Sequence, residues 1–236
     1  MDSDSPAEEH NAARQWQGVP TMQPTREPLD AVRVPARATQ INVFRHPSHV
    51  LLEHRERLLN QRPATVWLTG LSGAGKSTLA YEMERRLLGK GSLAFVLDGD
   101  NLRHHLNRDL GFTAQDRHEN IRRTAEVASL MNDAGLIVFS ALISPHRADR
   151  AMARAIIGDE RFVEVHVSAD LQVCEERDPK GLYGRARAGL ITHFTGISAP
   201  YEAPEDPALR IDTSQLDLHQ SADQLMSYLC ERGLVQ

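Results

Sequence analysis

The peptide Gly70-Leu71-Ser72-Gly73-Ala74-Gly75-Lys76-Ser77 satisfies the phosphate-binding pattern G-x-x-x-x-G-K-[ST] and constrains the fold of this chain more than any other feature. Such a loop works only between a buried strand and a helix, and both flanks comply. Thr65 to Thr69 is a β-branched and aromatic run of strand type, and Thr78 to Leu88 carries apolar residues at helical spacing. Gly70, Gly73 and Gly75 permit the backbone geometry that turns successive N–H groups inward, which makes an anion site at a helix N-terminus. The nucleotide-binding set is therefore expected to comprise these eight residues and Thr78. Lys76 is expected to reach the β- and γ-phosphates, and the Ser77 hydroxyl to ligate Mg²⁺.

The rest of the chain alternates between strand and helix patterns. A short helix is predicted from Pro47 to Asn60, and a second strand from Ser92 to Leu97 that ends in Asp98-Gly99-Asp100. An amphipathic helix is expected from Asp116 to Asp133, and a continuous apolar strand from Leu136 to Ile143. A helix from His146 to Ile157, a strand from Phe162 to Val167, a helix from Asp170 to Arg177, a strand from Leu209 to Asp212 and a helix from Leu218 to Cys230 follow. The alternation predicts an α/β fold of three layers, with a central parallel sheet and right-handed crossovers. Between Asp178 and Pro207 lie about thirty residues with little regular pattern, the kind of segment that forms a lid.

Residues 1–40, rich in Pro, Arg, Asp and Glu and without periodicity, are expected to form a flexible tail, which leaves 41–236 as the folded domain. The net charge of −5 offers no broad attraction for nucleic acid, so a small anionic partner fits better than DNA. No apolar run approaches the ~18 residues of a membrane span, and the N-terminus lacks the pattern of a secretory signal. Cys174 and Cys230, without metal-ligand spacing, suit a reducing compartment, so the expected setting is cytoplasmic.

Asp98 and Asp100 stand at the C-terminal end of a predicted strand, where open α/β sheets bind ligands. One carboxylate can orient Mg²⁺ through water while the other accepts the proton of an acceptor hydroxyl, which is the chemistry of a small-molecule kinase. The alternative is a turn in which the tripeptide merely caps the next helix.

Seven peptides occur in the order seen in adenylyl-sulfate kinases: Gly70–Ser77, Leu97–Arg103, Leu110–Thr113, Arg117–Arg123, Ile143–Pro145, Asp178–Tyr183 and Phe194–Ile197. From about Asn42 to its end the chain resembles that family of phosphate-loop (P-loop NTPase) kinases. The resemblance implies transfer of the γ-phosphoryl group of ATP to the 3′-hydroxyl of adenosine 5′-phosphosulfate, yielding 3′-phosphoadenosine 5′-phosphosulfate and ADP, a step of sulfate assimilation. It makes Lys76, Asp98 and Asp100 the catalytic set. Arg103, Arg117 and Asn120 match positions that hold the phosphosulfate and ribose, Phe112 and Phe194 match the aromatic pair around the substrate adenine, and Arg177 and Lys180 are candidates for nucleotide contacts. Phe194 is expected in a polar lid, away from the core. Ser144 matches a serine proposed in the family as a phosphorylated intermediate. No base in the sequence is placed to activate it, so the expected role is a substrate contact or a Pro-linked turn. The family also suggests a homodimer and raises the question of an ATP-sulfurylase partner.

The chain departs from the family at Gly184-Arg185, where two lysines are common, and at His146, where an aromatic residue is common. A shikimate-like or gluconate-like kinase is the nearest alternative, but such acceptors offer no base for Phe112 and Phe194 to enclose. A nucleotide-sensing regulatory module is the other alternative; such modules typically lose the phosphate loop, which is intact here. No guanine-reading N-K-x-D motif is present.

Overall fold

The computed structural model describes residue 44 and residues 46–235, and the tail expected over 1–40 lies outside them. The described chain runs α1 (Leu52–Leu59), β1 (Thr65–Thr69), α2 (Lys76–Gly89), β2 (Ala94–Asp98), α3 (Gly99–His104), α4 (Ala114–Asp133), β3 (Ile137–Ala141), α5 (Arg147–Ile157), β4 (Phe162–Ser168), α6 (Leu171–Arg177), α7 (Leu182–Arg187), β5 (Leu209–Asp212) and α8 (Leu218–Glu231). The five strands form one parallel sheet in the order β2-β3-β1-β4-β5. Because β1 is central and β3 and β4 flank it, all three are buried along their whole length, which explains their continuous apolar runs.

Strand alternation divides the core into two layers. Val66 and Leu68 of β1 pack with Leu79, Met83 and Leu87 of α2 and Leu225 and Leu229 of α8. Trp67, between them, points to the opposite layer and packs with Ile121, Ala125 and Ala128 of α4 and Ala153 and Ile157 of α5. The expected three-layer α/β/α architecture is therefore present. Several of the polar residues buried between the layers are held by side-chain hydrogen bonds. Thr65 donates to Asn132 Oδ1 at 2.7 Å, and the buried Arg150 donates to Glu164 Oε1 at 2.6 Å.

Helix α1 starts at Leu52 rather than at the expected Pro47, and three further elements differ from the sequence expectation for reasons the side chains show. The helix expected from Asp116 starts at Ala114, because the Thr113 hydroxyl caps it by accepting from Asp116 N at 3.1 Å. The Asp98 carboxylate accepts from Asp100 N and Asn101 N at 3.0 and 3.2 Å, and this cap initiates α3, a six-residue helix too short to register as a period. The segment expected to be irregular from Asp178 holds α7. There the Asp178 carboxylate accepts from the N–H groups of Leu182, Tyr183 and Gly184 at 2.8, 2.9 and 3.3 Å and so satisfies donors that a helix start leaves open.

Candidate active site

A cleft of about 1070 Å³ opens at the C-terminal edge of the sheet and is walled by the segments that follow β1, β2, β3 and β4. Its floor is the phosphate loop. Gly70 adopts φ 155°, and a Cβ there would stand 2.2 Å from the Val167 carbonyl oxygen, so no other residue fits between β1 and β4 at that point. Gly73 and Gly75 have φ of 76° and 90°, and Gly75 caps α2 from the left-handed region. The N-terminus of α2 thus faces the cleft with its first N–H groups unspent, as an anion requires.

Lys76 folds back over this loop, its ammonium donating to the carbonyls of Gly70 at 3.0 Å and Leu71 at 2.7 Å. Burial pushes its pKa down to about 8, against the opposing fields of Cys174, Asp98 and Asp100. The Ser77 hydroxyl donates to Asp98 Oδ2 at 2.6 Å, while Oδ1 of the same carboxylate is committed to the cap of α3. One oxygen of Asp98 thus caps α3 while the other meets the phosphate loop at Ser77. Asp100, in the first turn of α3, is exposed and ion-paired with Lys180 from the far wall.

Arg103 and Arg117 flank Phe112, with guanidinium carbons 4.3 and 5.7 Å from its ring centroid. Arg103 donates to the carbonyls of Leu110 and Gly111 at 3.0 and 2.7 Å. Arg117 donates to those of Phe112 and His193, both at 3.0 Å. Burial lowers the pKa of both groups. Phe112 itself is 60% exposed, as a base platform needs to be. Asn120 is buried and accepts from Asn107 Nδ2 at 2.9 Å. Arg177 spans from Gly73 O, at 3.4 Å, to the Thr213 hydroxyl at 3.0 Å.

Phe194 sits otherwise than expected, while Ser144 takes the second of the two places expected of it. Phe194 lines the cleft but is only 6% exposed and belongs to the main core, because α7 brings Tyr183 edge-on beneath it, with centroids 4.9 Å apart. Ser144 is 2% exposed at φ 39°, and its hydroxyl accepts from Trp67 Nε1 at 3.1 Å. That geometry belongs to a Pro-linked turn. Arg150 fixes the same turn by donating to Ser144 O at 2.7 Å and Glu202 O at 2.8 Å. His146 pairs with Glu202 at 3.5 Å at the start of α5. Neither Arg150 nor Thr213, which donates to Ala74 O at 3.0 Å, carries a local sequence signal, since each acts on a residue distant in the chain.

Among the described residues no group of three or more His, Cys, Asp or Glu gathers as a metal cluster, and no helix is long and apolar enough to cross a membrane.

A family model described as adenylylsulphate kinase matches residues 62–212. The adenylyl-sulfate kinase of Shewanella amazonensis is 55% identical over 186 residues, covering 78% of this chain and 94% of its own length. That of Staphylococcus epidermidis is 49% identical over 190 residues, covering 80% and 96%. Among solved structures, the APS kinase of Mycobacterium tuberculosis in complex with AMPPNP and APS superposes with a TM-score of 0.69 at 51% identity, covering 72% of this chain and 98% of that one. A gluconokinase of Sinorhizobium meliloti, 17% identical with a TM-score of 0.51, shares the fold alone.

Proposed function

The chain belongs to the adenylyl-sulfate kinase family, and on that premise we propose how its cleft performs the family's reaction. The enzyme transfers the γ-phosphoryl group of ATP to the 3′-hydroxyl of adenosine 5′-phosphosulfate and releases 3′-phosphoadenosine 5′-phosphosulfate and ADP. The observation that carries the assignment of roles is the contact between Ser77 and Asp98, which joins the phosphate loop to the Asp98–Asp100 peptide across the floor of the cleft.

ATP lies with its phosphates on the loop of residues 70–78, and Lys76 exchanges the carbonyls of Gly70 and Leu71 for β- and γ-phosphate oxygens. Arg177 and Lys180 add positive charge from the β4 side. The acceptor lies on the opposite side, its phosphosulfate and ribose toward Arg103, Arg117 and Asn120 and its adenine between Phe112 and Phe194. Asp100 accepts the 3′-hydroxyl proton as that oxygen bonds to the γ-phosphorus and the bond to the ADP oxygen breaks in line. For this Asp100 must part from Lys180. Both partners are more than half exposed, and such a surface pair is worth only about 0–1 kcal/mol, so substrate binding readily opens it.

Mg²⁺ suits the residues present. The Ser77 hydroxyl and Asp98 Oδ2 are two hard oxygen donors side by side beneath the phosphates, and Mg²⁺ in nucleotide sites is held by one or two such groups plus phosphates and water. When bound, the ion neutralises charge on the β- and γ-phosphates. Ser144 contributes the shape of the turn after β3, with no covalent role. We take the working form to be a homodimer, which sedimentation velocity of the purified full chain tests by its mass.

The reaction itself is tested with γ-labelled ATP and adenosine 5′-phosphosulfate. Label that a 3′-nucleotidase releases from the product supports the reading; label at any other position overturns it.

A further inference from the structure

The phosphate loop and the 194–196 segment are distant in sequence, and one side chain touches both. Tyr183, fully buried on α7, donates its hydroxyl to the Ser72 carbonyl at 2.9 Å and sets its ring at 80° to that of Phe194. The Asp178 carboxylate holds the backbone N–H groups of residues 182–184, so the tyrosine is anchored from behind. A second contact runs alongside, where Leu71 Cδ2 lies 3.0 Å from the position a Cβ would take on Gly196.

The peptide that Tyr183 grips has two ends. No described peptide bond is cis, and in a planar trans peptide the carbonyl and N–H point in opposite directions. Fixing the Ser72 carbonyl therefore fixes the Gly73 N–H on the other side of the same plane, within the loop that cradles phosphate. The two hydrogen bonds of one peptide polarise each other. A phosphate accepting from Gly73 N–H strengthens the Ser72 carbonyl as an acceptor, and the tyrosine is held harder. Because the Tyr183 ring packs edge-on against that of Phe194, a firmer tyrosine means a better-fixed wall on the acceptor side.

We propose that Tyr183 is a positioning residue that couples nucleotide on the phosphate loop to acceptor affinity, through Ser72 at one end and Phe194 at the other. This rests on the placement of donor and acceptor given above. Allosteric coupling between two sites of this kind is typically about 5- to 150-fold and is reciprocal.

The test is a calorimetric cycle on the full chain. It measures the Kd of adenosine 5′-phosphosulfate with and without saturating ADP, and the Kd of ADP with and without the acceptor. Wild type is expected to bind the acceptor at least fivefold tighter with ADP present, with the same factor in the reciprocal pair. Tyr183→Phe keeps the ring against Phe194 and deletes only the hydroxyl, so its acceptor Kd without nucleotide should stay within twofold of wild type. Its coupling factor should fall to less than a third of the wild-type value. A loss of structure alone would weaken both acceptor measurements equally and leave the factor unchanged, and that result overturns the proposal. The hydroxyl also neighbours the buried Cys174 thiol. Cys174→Ala, which leaves Ser72 bonded, should retain the coupling, and its loss there would equally overturn the assignment to Ser72. A wild type that binds no acceptor in either state would overturn the acceptor placement itself, an outcome distinct from coupling that survives in Tyr183→Phe.

Discussion

The two rings assigned to the substrate adenine should behave differently when removed. Phe194 is 6% exposed and rests edge-on against Tyr183, so Phe194→Ala deletes a core side chain. Such truncations cost about 3–5 kcal/mol; at the rim of a cleft, where the site can partly collapse, the lower figure applies. In a protein of this size about 1 kcal/mol corresponds to roughly 2–4 °C, so the melting temperature should fall by about 6–12 °C. Phe112 is 60% exposed, and its contacts are the guanidinium of Arg103 at 4.3 Å and that of Arg117 farther off. An exposed cation–π contact is worth about 0.5–1 kcal/mol, so Phe112→Ala should melt within about 4 °C of wild type. Its loss should appear in binding instead. One base stack, about 1–3 kcal/mol, raises the acceptor Kd roughly 5- to 150-fold. Thermal melts of the free proteins and calorimetric titration of ADP-loaded protein with adenosine 5′-phosphosulfate separate the two effects. A Phe112→Ala protein that melts as low as Phe194→Ala, or binds the acceptor as wild type does, would refute the assignment of Phe112 as the exposed platform.

Further outcomes follow from the loop and the turn. Lys76→Ala should lower turnover at least about a hundredfold with its melting temperature within about 4 °C of wild type, since the ammonium is bonded only to loop carbonyls; turnover near wild type contradicts this. The Lys76 pKa of about 8 lies below its ordinary 10.5, so between those pH values the unfolded chain binds a proton that the folded chain has lost. The free protein should gain stability from this group as pH rises through that window, and the gain should be absent in Lys76→Met. Phosphates restore the charge, so ADP binding near pH 8.5 should take up a fraction of a proton, read from titrations in buffers of different ionisation enthalpy. Ser144→Ala leaves the buried Trp67 N–H without its acceptor and should cost about 1–3 kcal/mol of stability while retaining most turnover at 25 °C; turnover abolished in a folded variant would restore a covalent role for the serine.

The strands, the phosphate loop and the long helices were legible in the sequence because each has a local cause: apolar runs where a strand is covered on both faces, glycines where φ must be positive, helical spacing over many residues. What escaped is set by contacts across the chain or by helices too short to show a period. Helix α3 exists because Asp98 caps it, a cap the sequence offers only as the alternative to a catalytic carboxylate, and α7 because Asp178 does, at the start of what reads as an irregular segment. Thr113 and Asp116, by contrast, form a readable cap that moves the start of α4 to Ala114. The burial of Phe194 was hidden because its partner, Tyr183, belongs to a helix the sequence does not announce. The grip of Tyr183 on Ser72 and that of Arg150 on the Ser144 turn are likewise products of topology.

The central claim is that this cleft phosphorylates an acceptor carrying both a phosphosulfate and an adenine. Initial rates of ADP release, with Mg²⁺ and ATP held constant, should be compared for adenosine 5′-phosphosulfate, AMP, shikimate and gluconate at equal concentration. The account predicts that adenosine 5′-phosphosulfate exceeds each of the others by at least a hundredfold. Equal or faster turnover of AMP, shikimate or gluconate would contradict it.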